Sequence, residues 1–119
     1  MLVADDMPAV RSIIREMLED MGFLEIVEAE DGEQAWELVQ EGGFGLVLTD
    51  WLMPGIEGVD LVREIRQLET TRNLPVLIIT SQGQREQWAE AKSAGVTGFV
   101  VKPFDQNQLR EELLRCLSR

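Results

Sequence analysis

The chain contains no histidine and only one cysteine, Cys116. Catalytic triads of the Ser-His-Asp or Cys-His kind, zinc sites made of histidine and cysteine, and a disulfide within the chain are therefore excluded. Basic residues are also scarce, because 11 lysines and arginines stand against 22 acidic residues and leave a formal net charge of −11. This surplus of negative charge disfavours direct binding to nucleic acid or to an anionic membrane.

The chain has neither a long hydrophobic run nor the composition of a disordered segment. Its 119 residues are 45% hydrophobic and include 4 prolines and 10 glycines. This composition predicts one globular domain, residues 1–119, without a membrane span. Residues 1–7 lack the basic segment and the apolar run of a secretory signal, so the expected location is the cytoplasm.

Five short runs rich in Val, Ile and Leu alternate with segments of helical periodicity. Most of the runs lack polar alternation, which is typical of parallel strands covered by helices on both faces. The runs span residues 2–4, 24–27, 44–48, 75–80 and 99–101, and the helical segments span residues 8–21, 33–40, 61–68, 84–94 and 109–117. The alternation predicts an α/β fold with one doubly wound, five-stranded parallel sheet and five helices.

The first helical segment has the clearest periodicity. Pro8 suits a first turn, and Gly22 follows the last apolar residue as a stop signal. The apolar residues fall at helical spacing and are Val10, Ile13, Ile14, Met17, Leu18 and Met21. This spacing predicts an amphipathic helix.

Polar residues stand at the ends of four predicted strands, where the functional crevice of a doubly wound fold lies. Asp5 and Asp6 follow the first strand, Asp50 follows the third, Thr80 ends the fourth, and Lys102 follows the fifth. If the first and third strands are neighbours, three carboxylates converge. At about 4 Å and an effective dielectric constant near 20, each like-charged pair costs roughly 4 kcal/mol. We therefore expect the cluster to bind a proton or a divalent cation, and Mg²⁺ suits carboxylate ligands best.

A carboxylate beside Mg²⁺ can also act as a nucleophile toward phosphorus and form an aspartyl phosphate. Asp50 is the candidate, because it is the single acid at its strand end, whereas Asp5 and Asp6 form a pair suited to holding metal. A phosphoryl group needs positive charge and hydrogen-bond donors, which the ammonium of Lys102 and the hydroxyl of Thr80 supply.

Each of these residues also has a purely structural interpretation. Asp6 before Pro8 is suited to the positive end of the first helix, and Asp50 before Pro54-Gly55 is suited to a turn. Thr80 is compatible with a structural strand end, and Lys102 with a solvated loop. The coincidence of all four sites at one predicted edge favours a functional cluster.

Four segments contain these polar residues: LVADD at residues 2–6, TDWLMPG at 49–55, IITS at 78–81 and GFVVKPF at 98–104. Together they resemble the receiver domains of bacterial two-component response regulators, particularly the single-domain chemotaxis type. The resemblance extends over essentially the whole chain. It implies a flavodoxin-like fold with the strand order 2-1-3-4-5.

The resemblance also implies roles for individual residues. Asp50 would accept a phosphoryl group from a histidine kinase, with Thr80 and Lys102 assisting. Asp5, Asp6, Asp50 and the main-chain carbonyl of Leu52 would hold Mg²⁺. Because the chain has no histidine, the phosphohistidine donor must be a partner protein.

The resemblance further implies a switch, in which Thr80 would move toward the phosphorylated Asp50 and the ring of Phe99 would turn into the space that Thr80 vacates. This change would alter a face formed by helix 4, strand 5 and helix 5, to which a downstream protein would bind. Phe99 also suits plain core packing. Trp88, in a helix with few apolar residues, is either an exposed partner anchor or partly buried.

Three alternatives lead to other functions. A phosphatase that turns over an aspartyl phosphate usually has a second acid two residues after the nucleophile, where this chain has Leu52. A flavin or nucleotide binder on the same fold would need a glycine-rich phosphate loop, and no G-x-G-x-x-G or G-K-[ST] motif occurs. A receiver that signals without phosphate would keep the fold as a binding module. We expect a signalling domain rather than an enzyme acting on an external substrate.

Overall fold

The computed structural model of the protein describes residues 1–81 and 85–118. Strands and helices alternate along the chain as β1 (Leu2–Ala4), α1 (Pro8–Asp20), β2 (Val27–Ala29), α2 (Gly32–Glu41), β3 (Val47–Asp50), α3 (Gly58–Gln67), β4 (Val76–Thr80), α4 (Arg85–Ala94), β5 (Gly98–Val101) and α5 (Gln106–Leu117). The strands form one parallel sheet in the order β2-β1-β3-β4-β5. The predicted doubly wound α/β fold and its strand order are confirmed.

Each face of the sheet has its own hydrophobic layer. Helices α2, α3 and α4 pack on one face, and helices α1 and α5 pack on the other. Successive residues of β4 alternate between the layers, with Ile78 in the first and Ile79 in the second, and both are buried. A strand covered on both faces needs no polar alternation, which explains the continuous apolar runs of the sequence.

Two strands differ from their predicted positions by more than one residue. The segment 24–27 overlaps β2 only at Val27, and Leu24 is 85% exposed. The third strand begins at Val47 rather than at residue 44, and it includes Asp50 as its last residue. In both places apolar residues precede the strand in a connecting loop, and apolar content alone does not distinguish the loop from the strand. The predicted start of the fourth helix, Gln84, lies outside the described residues.

Helix α1 packs five of its six predicted apolar residues on the core, namely Val10, Ile14, Met17, Leu18 and Met21, and departs from the prediction at Ile13 and Arg11. Its buried residues are Arg11, Ile14 and Leu18, whereas Ile13 is 53% exposed. The helix therefore turns a charged side chain toward the protein interior, close to the carboxyl end of β1. Over the described ranges, no helix combines the length and the apolar character needed to cross a bilayer.

Candidate functional site

Three carboxylates meet at the carboxyl edge of the sheet. Strands β1 and β3 are neighbours with Ala4 opposite Thr49, so the residues that follow in register, Asp5 and Asp50, lie side by side. One carboxylate oxygen from each of Asp5, Asp6 and Asp50 lies within 4.8 Å of the other two. Asp5 is buried and Asp6 is exposed. The expected convergence of the three acids is present in the structure.

Lys102 reaches this acidic group from the end of β5. Its Nζ lies 3.4 Å from Oδ2 of Asp5 and 3.5 Å from Oδ2 of Asp50. The backbone N–H of Lys102 donates to the carbonyl of Thr80 at 2.7 Å, and the Lys102–Pro103 peptide bond is cis. One cation therefore bridges two of the three acids.

The environment of Asp50 opposes its ionisation. Burial raises the pKa of its carboxyl group, and the charge of Asp5 raises it further, whereas Lys102 and the backbone N–H of Trp51 lower it. That N–H donates to Oδ1 of Asp50 at 2.8 Å. The net pKa is above the ordinary value for aspartate. A divalent cation at this group would offset the cost of ionising Asp50.

The structure does not assign Asp6 a capping role in α1. The N-cap residue of that helix is Met7, which has no side-chain cap. The backbone N–H of Met7 instead donates to Oδ1 of Asp5 at 2.9 Å. Asp6 thus belongs to the acidic group and makes no helix-capping bond among the described contacts.

The remaining predicted residues occupy the same edge or the face next to it. Thr80 is the last residue of β4 and is 1% exposed. Its strand pairs with β3 so that Asp50 lies opposite Ile79. Leu52 lies two residues after Asp50 in the loop that leads to α3, and it is 47% exposed.

Three aromatic side chains form a row from the buried core to the surface. The ring of Trp51, next to Asp50 in sequence, contacts Phe99 edge-on at 6.4 Å between centroids. Phe99 in turn packs against Trp88 of α4 at 5.1 Å. Trp88 remains 39% exposed and, with Phe99 and residues of α5, lines a cavity of about 200 Å³. Trp88 is therefore partly buried against Phe99 and partly exposed, so both predicted alternatives hold in part.

Sequence reasoning missed two residues that support the site. Gly58 begins α3, and its N–H donates to the carbonyl of Trp51 at 2.8 Å. A Cβ atom at position 58 would overlap the Asp50 carbonyl oxygen, so the helix approaches this backbone only with glycine there. Arg11 donates from Nη1 to the Asp5 carbonyl at 2.6 Å. Arg11 stands at helical spacing from Ile14 and Leu18, and this spacing indicates a position on their face of the helix. A pattern made of apolar residues alone does not include it.

Fold and site together define a class of protein: a doubly wound α/β domain with three acids and a lysine at the carboxyl edge of its sheet. Residues 1–114 match the family model described as the response regulator receiver domain. The chain therefore belongs to the response regulator receiver family, whose members signal through phosphorylation.

Individual relatives indicate which type of receiver domain the chain is. The chain is 44% identical to the chemotaxis protein CheY-3 of Vibrio cholerae over 118 residues, which cover 99% of this chain and 91% of that protein. The structure of the chemotaxis response regulator CheY4 of Vibrio cholerae has a TM-score of 0.90 at 32% identity, covering 98% of this chain and 96% of that one. The receiver domain of a Pseudomonas aeruginosa sensor histidine kinase, described with magnesium coordinated in its active-site cleft, has a TM-score of 0.90 at 26% identity, covering 99% and 96%. This receiver domain is thus of the CheY type.

Proposed function

We propose that this receiver domain accepts a phosphoryl group on Asp50 from a partner histidine kinase in a Mg²⁺-dependent reaction. The observation that carries the proposal is the group of three carboxylate oxygens within 4.8 Å, from Asp5, Asp6 and Asp50. Lys102 lies within 3.5 Å of two of these acids. A cluster of like charges with one bridging cation is suited to a divalent ion and to a dianionic phosphoryl group.

The donor set fits Mg²⁺ by its chemistry. Asp5, Asp6 and Asp50 offer carboxylate oxygens, and we propose the carbonyl of Leu52 as a fourth oxygen ligand. Mg²⁺ prefers hard oxygen ligands and retains several waters, which an edge containing the exposed Asp6 permits. When bound, the ion would neutralise negative charge on the transferred phosphoryl group.

The proposed reaction is an in-line displacement at phosphorus. A carboxylate oxygen of Asp50 attacks the phosphorus of the donor phosphohistidine and forms a P–O bond. The P–N bond of the donor breaks, and its electron pair remains on the imidazole nitrogen. The Trp51 N–H and the Lys102 ammonium, both already directed at Asp50, orient the carboxylate, and the ammonium pairs with a phosphoryl oxygen.

We propose that the response travels from Thr80 and Phe99 to the face formed by α4, β5 and α5. Thr80 ends the strand next to β3, so its hydroxyl is suited to donate to a phosphoryl oxygen on Asp50. Phe99 contacts both Trp51, beside the acceptor, and Trp88, on the surface. A downstream protein partner would bind this face, with Trp88 as an aromatic anchor.

The remaining proposals concern the setting in which the domain works. We propose that residues 1–119 act as one receiver domain in the cytoplasm, where a histidine kinase is the phosphodonor. The net charge of −11 supports protein partners rather than direct contact with nucleic acid or with an anionic membrane.

The proposal is tested by incubating the protein with a small phosphodonor in the presence of Mg²⁺. We expect a mass increase of one phosphoryl group, stable in acid and labile in base, that maps to Asp50 and disappears when a chelator removes Mg²⁺. Asp50→Asn should abolish it, whereas Asp20→Asn, at an exposed position of α1, should not. Absence of phosphate on Asp50 with several donors contradicts the proposal, and steady phosphate release from an external monoester would favour a phosphatase instead.

A further inference from the structure

Arg11 lies in the interior beside the acidic group although it is charged. Its residue exposure is 9%, and it lies on the inward face of α1 with Ile14 and Leu18. Its Nη1 donates to the main-chain carbonyl of Asp5 at 2.6 Å, and its Nε donates to Oε1 of Glu28 at 3.0 Å. A buried guanidinium is costly unless it is well bonded, so these two contacts determine where the side chain lies.

Glu28 anchors the guanidinium from the neighbouring strand. It is the middle residue of β2 and lies opposite Val3 of β1. Its second carboxylate oxygen accepts from Nη1 of Arg15 at 3.0 Å. One carboxylate therefore binds two arginines, but only Arg11 continues to the backbone of Asp5 among the described contacts.

Polar contacts hold both the backbone and the carboxylate of Asp5. Its backbone N–H donates to the Ala29 carbonyl at 3.1 Å, and its own carbonyl accepts from Arg11. Its Oδ1 accepts from the Met7 N–H, and its Oδ2 lies 3.4 Å from the Lys102 ammonium. Among these contacts, only the bond from Arg11 joins another residue's side chain to the Asp5 backbone. A ligand fixed in this way loses little conformational freedom when it binds a metal ion.

We propose that Arg11 is a positioning residue for the Mg²⁺ site, and that with Glu28 as its anchor it holds the Asp5 backbone so that the carboxylate faces Asp6 and Asp50. This inference rests on the proposed function, because it presupposes that the three acids bind Mg²⁺. It gives β2 and α1 a part in metal binding although neither strand β2 nor the inward face of α1 supplies a ligand.

Arg11 influences Mg²⁺ in two opposite ways, and this makes the role testable. As a positive charge near the site it repels the ion, whereas as a positioning group it prepares Asp5 for the ion. A lysine at position 11 keeps the charge, but it lacks the planar fork that bonds a carbonyl and a carboxylate at once. Charge-conserving substitutions therefore remove the positioning effect alone.

The experiment measures the dissociation constant of Mg²⁺ by calorimetry on the full chain, for the wild type and three charge-conserving variants. We expect Arg11→Lys and Glu28→Asp each to weaken Mg²⁺ binding by roughly 10-fold, the size typical of groups that orient metal ligands. The matched control is Arg15→Lys, which changes the other partner of Glu28 and leaves the contact with Asp5 intact. It should stay within about twofold of the wild type.

Hydrogen exchange without metal provides a second readout. The Met7 amide, which donates to Asp5, should exchange faster in Arg11→Lys and Glu28→Asp than in Arg15→Lys. If Arg11→Lys does not fold, Glu28→Asp tests the same contact from a partly exposed side chain. Unchanged Mg²⁺ affinity in Glu28→Asp and in any folded Arg11→Lys overturns the inference alone, provided that the wild type binds Mg²⁺. A wild type that binds no Mg²⁺ overturns the proposed function and this inference together.

Discussion

At the residue scale, the folded structure disfavours the ionised form of Asp50. Its folded pKa is raised, mainly by burial and further by Asp5. Between the unfolded pKa, about 3.9, and the higher folded value, the native state binds more protons than the unfolded state. Without metal, stability is therefore lost as the pH rises through the folded pKa. The neutral side chain of Asp50→Asn avoids that loss.

We accordingly expect Asp50→Asn to raise the Tm at pH 7 in chelator-treated buffer. A gain of about 1 kcal/mol corresponds to roughly 4 °C for a domain of this size. The difference between variant and wild type should shrink as the pH falls through the folded pKa and vanish below the unfolded pKa, about 3.9, where the Asp50 carboxyl is protonated in both states. Thermal unfolding followed by circular dichroism measures it, with Asp20→Asn as the exposed control. A lower Tm for Asp50→Asn at pH 7 would contradict the argument.

Gly58 is the second residue with a distinct role. A Cβ atom there would lie 3.0 Å from the Asp50 carbonyl carbon and 3.1 Å from the Trp51 Cα, besides overlapping the Asp50 carbonyl oxygen. Backbone cannot move aside as a flexible side chain does, so Gly58→Ala should destabilise the fold by about 1–3 kcal/mol. Urea unfolding measures the change. The matched variant Gly45→Ala places its methyl group where nothing lies within 4 Å, and an equal loss in both would refute this account.

At the element scale, the contact between β5 and α4 runs through Phe99 and Trp88. Replacing Phe99 with leucine removes two aromatic contacts, each worth about 0.5–1.5 kcal/mol beyond its burial. Phosphorylation should still occur in Phe99→Leu, because the acidic group is unchanged. The effect of phosphorylation on α4 and α5 should weaken, because the coupling free energy between Asp50 and these helices falls by roughly 0.5–2 kcal/mol.

Amide chemical shifts before and after phosphorylation measure this coupling. We expect the shift changes at Ala91 in α4 and Glu112 in α5 to diminish in Phe99→Leu. Phe44→Leu, the same substitution in the loop before β3, serves as the control and should leave them unchanged. Full shift changes in Phe99→Leu would exclude the aromatic row as a route from Asp50 to this face.

Helix α5 begins at Gln106, three residues after Pro103, and its start is fixed by a capping box. The Asp105 side chain accepts from the Gln108 N–H at 2.8 Å, and the Gln108 side chain accepts from the Asp105 N–H at 2.8 Å. Asp105→Ala removes the capping acceptor and should cost about 0.5–2 kcal/mol. Urea unfolding tests it against Glu111→Ala on the exposed side of the same helix, and equal costs would argue against a capping role.

At the scale of the whole molecule, a net charge of −11 is confined to a body about 32 Å across. The Debye length falls from about 30 Å at 0.01 M salt to about 10 Å at 0.1 M. Over this range of salt concentration the Debye length falls from about the width of the molecule to about a third of it, so charges on opposite sides of the molecule become screened from one another. We expect the Tm to rise with NaCl between these concentrations, because self-repulsion of the folded state weakens.

Mg²⁺ should stabilise the protein beyond this screening. At equal ionic strength, MgCl₂ should raise the Tm more than NaCl, by an excess that corresponds to about 2.7 kcal/mol at 100 times the dissociation constant. Asp50→Asn should lose most of the excess while keeping the NaCl effect. Scanning calorimetry measures both, and identical curves in the two salts would contradict a specific site.

Sequence alone determined the fold class and the residues at the edge of the sheet. Continuous apolar runs such as 75–80 predict buried parallel strands, because helices on both faces remove any need for polar alternation. Since parallel strands end at a common edge, Asp5, Asp50, Thr80 and Lys102 could be assigned to one crevice before any distance was known. These are local patterns combined with a topological rule.

Only the tertiary structure decided what supports that edge. Arg11 and Gly58 act on the backbone of Asp5 and Asp50, which lie six and eight residues before them in the sequence, and no periodicity encodes such a contact. The start of β2 at Val27 was likewise set by its pairing with Leu2 and not by the apolar residues before it. Strand register and backbone approach depend on neighbours that folding brings together, so a linear pattern indicates where the ligands lie but not what holds them in place.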